Sequence, residues 1–274
     1  MGMRTHRVLQ RSVFFPLLLS VEFFFGSMVG ALPVHPSMID NTAVLALAPH
    51  TDKSLNWSGY VADGGGYTAV SGSWVVPVVE PGDTLAADAT WVGIGGVQNH
   101  NLIQAGTQAV VEPDGTVEYQ AWVEALPHES TPVPLLVRAG DIVSAELNEE
   151  SPGYWHVSIR NITSGKKFET TMAYDSQHVS AEWIQEMPTG NVFIALDNFH
   201  TLDFLSTSAV QKGKTVTPFV AKARALTMVN GAGEPLAVPT TLSENGGAFR
   251  VQRTEAHIVP ARDAFAEDMA KTAF

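Results

Sequence analysis

An all-β, antiparallel sandwich is the fold class this sequence predicts. Three observations carry that reading. Between residues 56 and 254, apolar and polar residues alternate in short runs rich in Val, Trp, Tyr and Ser. Turn dipeptides cut those runs at intervals: Asp114-Gly115, Ala139-Gly140, Ser164-Gly165, Thr189-Gly190 and Asn245-Gly246. No amphipathic helical pattern lies between them, which disfavours a parallel α/β layering and leaves two antiparallel sheets packed face to face.

Residues 1–31 place Arg4, His6, Arg7 and Arg11 ahead of an apolar run, VFFPLLLSVEFFFGSMVGALPV (13–34). That is the order of a secretory signal, and Val29-Gly30-Ala31 supplies the small residues of a cleavage site. The competing reading, a retained anchor, is opposed by Pro16 and Glu22 inside a short run. Residues 32–53 have no period and read as a short pro-segment or linker. The sandwich domain is expected over 54–254, with strands drawn from 56–83, 89–97, 101–115, 116–126, 134–150, 153–174, 180–187, 192–210 and 247–254. The remainder, 255–274, is a tail, and VPARDAFAEDMAK (259–271) reads as a short helix.

Composition bounds the function. Of 274 residues, 45% are hydrophobic and 16% charged, which suits a globular chain with one large core. Acidic residues number 28 against 16 basic, a formal charge of -12, so nucleic acid is not an expected partner. There is no cysteine, hence no disulfide, thiol nucleophile or cysteine metal site. The nine histidines are scattered without metal-ligand spacing, so neither metal nor cofactor is expected. GxSxG, HExxH and Walker patterns are absent, as are paired DTG or DSG words. The expected product is a secreted, extracellular monomer with no stable membrane association once the signal is removed. Asn56-Trp57-Ser58 and Asn161-Ile162-Thr163 fit the glycosylation sequon, which matters only in a eukaryotic host.

Three short words hold the chemistry. In LIQAGTQ (102–108), Leu102, Gln104 and Gly106 share one strand face. A mid-strand Gln in apolar surroundings must find hydrogen-bond partners or face a groove. In YQAWVEAL (119–126), Gln120, Trp122 and Glu124 share a face, pairing a flat apolar wall with polar groups. In SAEWIQEM (180–187), Glu182, Ile184 and Glu186 share a face, and Glu182 between Ala, Trp and Ile is expected to be partly buried with a raised pKa. The pattern alone equally fits amphipathic strands with their polar residues in water.

These words, with NWSGY (56–60), SGSWVVP (71–77) and WVGIGG (91–96), occur in an order that resembles the eqolisin family of glutamic peptidases. The resemblance runs from Asn56 to about Arg253. It implies a jelly-roll or concanavalin-like sandwich of two curved sheets and a secreted, acid-acting, pepstatin-insensitive endopeptidase on protein or peptide substrates. The family's catalytic glutamine falls on Gln104 and its catalytic glutamate on Glu182. Trp91, Trp122, Glu124, Gln120 and Gly95 fall on substrate-groove positions. Gly95 and Gln120 stand where fungal members carry Asp, and Leu126 where they carry Tyr, so this reads as a divergent, bacterial-like member. Two other readings use the same residues: a glycoside hydrolase with Glu124 and Glu182 as its carboxyl pair, and a lectin-like module stacking sugars on Trp57, Trp91 and Trp122.

Overall fold

A computed structural model describes residues 46–97, 100–188 and 194–256. Among them are seventeen strands and no helix. In chain order these are β1 (Thr51–Ser54), β2 (Trp57–Asp63), β3 (Tyr67–Val75), β4 (Ala86–Gly95), β5 (Leu102–Val111) and β6 (Val117–Ala125). Then come β7 (Thr131–Pro132), β8 (Ile142–Ser151), β9 (Tyr154–Asn161), β10 (Lys166–Ala173), β11 (Ser180–Glu186) and β12 (Ala195–Leu196). The last are β13 (Thr201–Gln211), β14 (Lys214–Val216), β15 (Arg224–Val229), β16 (Pro235–Pro239) and β17 (Phe249–Arg253). The signal read at 1–31 and the helix read at 259–271 lie outside the described residues. No helix among the described residues is long and apolar enough to cross a membrane.

Two layers emerge from the pairings. One runs β1–β15–β2–β11–β4–β5–β6–β7, with β12 beside the start of β4. The other runs β16–β17–β13–β3–β8–β9–β10, with β14 beside the end of β13. β16 also pairs with β15, which joins the layers at one corner. All pairs are antiparallel except β1–β15 and β12–β4. The two-residue period then sorts side chains. Val92, Ile94, Ile103, Ala105, Val123 and Trp183 of the first layer pack on Val70, Trp74, Leu147, Trp155 and Phe204 of the second. Buried indoles find partners there: Trp74 Nε1 donates to Thr107 Oγ1 (3.0 Å) and Trp183 Nε1 to the Ser71 carbonyl (2.9 Å). The first layer's opposite face carries a second, smaller apolar set: Val61, Trp91, Leu102, Trp122, Ile184 and Leu226.

The structure departs from the expected elements in five places. Thr51–Ser54, inside the segment read as a linker, forms β1 against β15. Residues 134–141 are not strand, and the regular part begins at Ile142. β14, β15 and β16 are additional. RALTMV is buried almost throughout, so it lacks the alternation that marks a half-exposed strand. PLAVP is bounded by two prolines, which read as loop punctuation. Both sequon asparagines spend their amide nitrogens inside the fold: Asn56 Nδ2 donates to Glu186 (3.0 Å), and Asn161 Nδ2 to the Leu136 carbonyl and to Asp141.

Candidate active site

Strand register assembles the site. Val61 of β2 stands opposite Glu182 of β11, Glu182 opposite Gly93 of β4, Gly93 opposite Gln104 of β5, and Gln104 opposite Glu124 of β6. Directly paired residues point to the same side, so Glu182, Gln104 and Glu124 form one polar row on the smaller apolar face. The Cα atoms of Gln104 and Glu182 are two strand spacings apart, about 10 Å. The glycine between them leaves room for the Trp91 ring and Leu102, which pack over that point of the sheet. A Cβ on Gly93 would lie 2.9 Å from the Trp91 ring and 3.0 Å from Leu102 Cδ1.

The next row along the strands is apolar: Ile184, Trp91, Gly106, Trp122 and Pro132. The one beyond holds Glu186, Ala89, Gln108 and Gln120, with Gln108 Nε2 donating to Gln120 Oε1 at 3.1 Å. Six of the seven residues singled out in the sequence, Gln104, Glu182, Trp91, Trp122, Glu124 and Gln120, therefore share one surface. Gly95 lies at the end of β4, opposite Leu102. Its φ is +97° and a Cβ there would fall 2.0 Å from the Asn101 carbonyl oxygen. Backbone geometry thus requires glycine at this position. Gly95→Asp is expected to lower unfolding stability by about 2 kcal/mol or more, read from urea melts. A neutral result would remove the close approach from the account.

The electrostatics single out Glu182. Its side chain is completely buried. Burial raises its pKa well above the ordinary carboxyl value, Asp63 adds to the rise, and Arg224 opposes it. The Ser180 hydroxyl is close enough to ease ionisation, yet neither Glu182 oxygen meets a protein donor in hydrogen-bond geometry. Gln104 Nε2 donates to Glu124 Oε2 in a short contact, which leaves Gln104 Oε1 buried without a protein partner. Of ten such orphaned side-chain atoms among the described residues, seven sit on this face: Trp57 Nε1, Asp63 Oδ1, Gln104 Oε1, Trp122 Nε1, Ser180 Oγ and both oxygens of Glu182. Buried polar atoms are rarely left unpaired in folded proteins. Their concentration here distinguishes this face from the rest of the described fold.

Several contributors escaped the sequence reading. Glu186 was placed on the correct face, but not its partners: it accepts from Trp91 Nε1 (2.7 Å) and Asn56 Nδ2 (3.0 Å), and burial pushes its pKa up to about 7. Trp57 meets Trp91 edge to face, centroids 5.0 Å apart. At the far end of the row, Arg224 bridges Asp63 (2.9 Å) and Asp52 (2.8 Å). Only cross-strand register brings these together, and no local word encodes it. No group of three or more His, Asp or Glu among the described residues is placed to hold a metal ion. A cleft of about 860 Å³, lined by Glu80, Asp197, His200 and Arg253, opens at the start of β4. It lies about 20 Å along the strand from Gly93.

The sequence matches the Peptidase A4 family over residues 55–252. It is 27% identical over 191 residues to aspergillopepsin-2 of Aspergillus niger, covering 60% of this chain and 67% of that protein. Scytalido-glutamic peptidase, solved with a transition state analog inhibitor, superposes with a TM-score of 0.64 at 22% identity, covering 73% of this chain and 99% of that one. Aspergilloglutamic peptidase from Aspergillus niger gives 0.55 at 24% identity, covering 62% and 99%. SCP-B, described as a member of the eqolisin family and solved with the tripeptide Ala-Ile-His, gives 0.61 at 22% identity, covering 73% and 99%.

Proposed function

The chain belongs to the Peptidase A4 family of glutamic endopeptidases, and from that premise we propose that Gln104 and Glu182 are the residues with which it activates water. The observation that carries the reading is the row itself. Two buried groups with unpaired oxygens stand in one row on either side of a glycine, on the sheet face that holds most of the orphaned polar atoms among the described residues. An acyl-transfer site needs a base for the attacking water and a donor for the oxyanion. Glu182 takes a proton from water as it attacks the scissile carbonyl. Gln104 stabilises the tetrahedral oxyanion through its side-chain amide. Glu182, now protonated, returns the proton to the departing amine.

The raised pKa suits both halves of that cycle. A carboxylate stripped of solvent and donors is a stronger base than an exposed one, and its conjugate acid holds the proton until the amine leaves. In this reading the buried Trp91 and Trp122 supply the apolar floor beside the row, and the Gln108–Gln120 amide pair continues it with neutral hydrogen-bonding groups. Because these amides do not titrate, that part of the groove keeps one charge state across the acid range.

The domain plan proposed with this function is a signal over 1–31, a linker over 32–53, the peptidase domain over 54–254 and a tail over 255–274, acting as an exported monomer. The purified chain is expected to digest denatured protein in acid and to keep its activity in pepstatin, chelator, and serine and thiol reagents. Complete inhibition by pepstatin, or loss with chelator, would remove the Gln/Glu assignment.

A further inference from the structure

We propose that Glu124 is a positioning residue whose proton decides which end of the Gln104 amide faces the reaction. This inference rests on the Gln104/Glu182 reading above. Gln104 stands in register between two carboxyl groups, Glu124 on one side and Glu182 across Gly93 on the other. An amide between two partners has only two useful orientations. In the structure its NH₂ donates to Glu124 and its carbonyl oxygen is left unpaired. That is the orientation an ionised Glu124 demands, since a carboxylate only accepts. It aims the wrong end at the chemistry, because an amide oxygen repels an oxyanion that the NH₂ would hold.

A proton on Glu124 reverses the pattern. The carboxylic acid O–H donates to Gln104 Oε1, the amide turns over, and its NH₂ faces the scissile carbonyl. The chain Glu124 O–H to Gln104 C=O to Gln104 N–H to oxyanion then polarises along its length, which strengthens the last donor. One proton shared by Glu124 and Glu182 describes both states. With the proton on Glu182 and Glu124 ionised, the site rests as in the structure. With the proton on Glu124 and Glu182 ionised, base and oxyanion donor are both in place. The singly protonated form with the proton on Glu124 is then the working one.

The surroundings of Glu124 favour protonation. It is half-buried, and burial raises its pKa against the opposing contacts from Gln104 and the Ser130 backbone. The titratable groups around it are Glu186 on β11, whose ionisation Glu124 opposes, Glu182 in the same row, and exposed His128 and Glu129 on the following turn. The nearest cation described on this face, Arg224, is committed to Asp52 and Asp63 at the opposite end of the row.

The test is the pH profile of kcat on a quenched fluorescent peptide for wild type and Glu124→Gln, with Glu182→Gln as reference. Wild type should give a bell. Glu124→Gln cannot lose its donor to Gln104 Oε1, so the basic limb, normalised to the variant's own plateau, should move up by at least about one pH unit, a tenfold gain on that limb. The side-chain ¹⁵N signal of Gln104 should titrate with the basic limb in wild type and lie flat in Glu124→Gln. An unmoved basic limb in the variant, or a flat Gln104 signal in wild type, overturns the inference even if Glu124→Gln folds poorly. Full activity in Glu182→Gln would instead overturn the dyad reading, so the two failures are separable.

Discussion

Glu182→Gln is expected to yield a folded protein whose kcat is lower by at least about 10³, the upper part of the range for losing a general base. The substitution keeps the size and the hydrogen-bonding reach of the side chain but removes the atom that takes the proton. Gln104→Ala should cost about 10²–10³, the loss of one preorganised oxyanion donor. Because the two residues act on one transition state, the double variant should fall little below the worse single one. Stability supplies the control. Glu182 is a buried carboxyl with no protein donor on either oxygen, and burial opposes its ionisation. A neutral isostere there should leave the urea midpoint unchanged in acid and raise it near neutrality, where wild type must bury a charge. Lost activity with preserved or increased stability separates a catalytic carboxyl from a structural one. Appreciable turnover in the Gln variant, with a wild-type circular dichroism spectrum, would end the assignment.

How far the sequence reached can be followed residue by residue. Alternation made β9 and β10 legible, because each shows one face to the core and the other outward. The central strands β4 and β11 are buried on both faces, yet both overlap segments the sequence marks as strand, 89–97 and 180–187. β15 had neither cue: it is buried from Ala225 to Val229 and carries no turn signal within it. For the site, counting by twos placed Gln120, Trp122 and Glu124 together, and Glu182 with Glu186, since a strand's period is fixed by its covalent geometry. Counting within strands cannot supply register between them. That register puts Gly93 between the two catalytic candidates and seats Glu186 beneath the Trp91 indole. Gly95 teaches the converse. The resemblance made it an acid lost from the groove, whereas its positive φ and the approach of the Asn101 carbonyl make it a backbone requirement.

Raising the pH should unfold this protein, and the reason lies in four carboxyl groups, three of them buried and Glu186 half-buried. Glu182 and Glu186 stand on the groove face. Asp88 and Asp197 lie together at the start of β4. Asp88 accepts from Gln185 Nε2 (2.5 Å) and the Ala109 backbone (3.1 Å), while both Asp197 oxygens lack a protein partner. All four have raised pKa values, and burial is the largest cause in each. Arg253, the cation that opposes the rise at Asp197, spends its guanidinium on the carbonyls of Asp197, Leu236 and Thr254. A carboxyl whose folded pKa exceeds its unfolded value binds protons preferentially in the folded state. Its stabilisation is complete below the unfolded value, near 4, and is lost as pH rises through the folded one. Asp88, raised from 3.8 to about 6, and Glu186, raised from 4.5 to about 7, set that window. At about 1.4 kcal/mol per unit, each contributes about 3 kcal/mol, against a total of about 5–15 kcal/mol for a typical domain. Glu182 and Asp197 add in the same direction. The formal charge of -12 also disfavours the compact state as carboxyl groups ionise. Salt tells the two effects apart, because it screens surface repulsion and leaves buried groups almost untouched. Urea midpoints should therefore drop steeply between pH 5 and 8 in both low and high salt, and Glu186→Gln should flatten that slope. A midpoint that holds constant or climbs across the same range would mean that these carboxyl groups find partners when ionised.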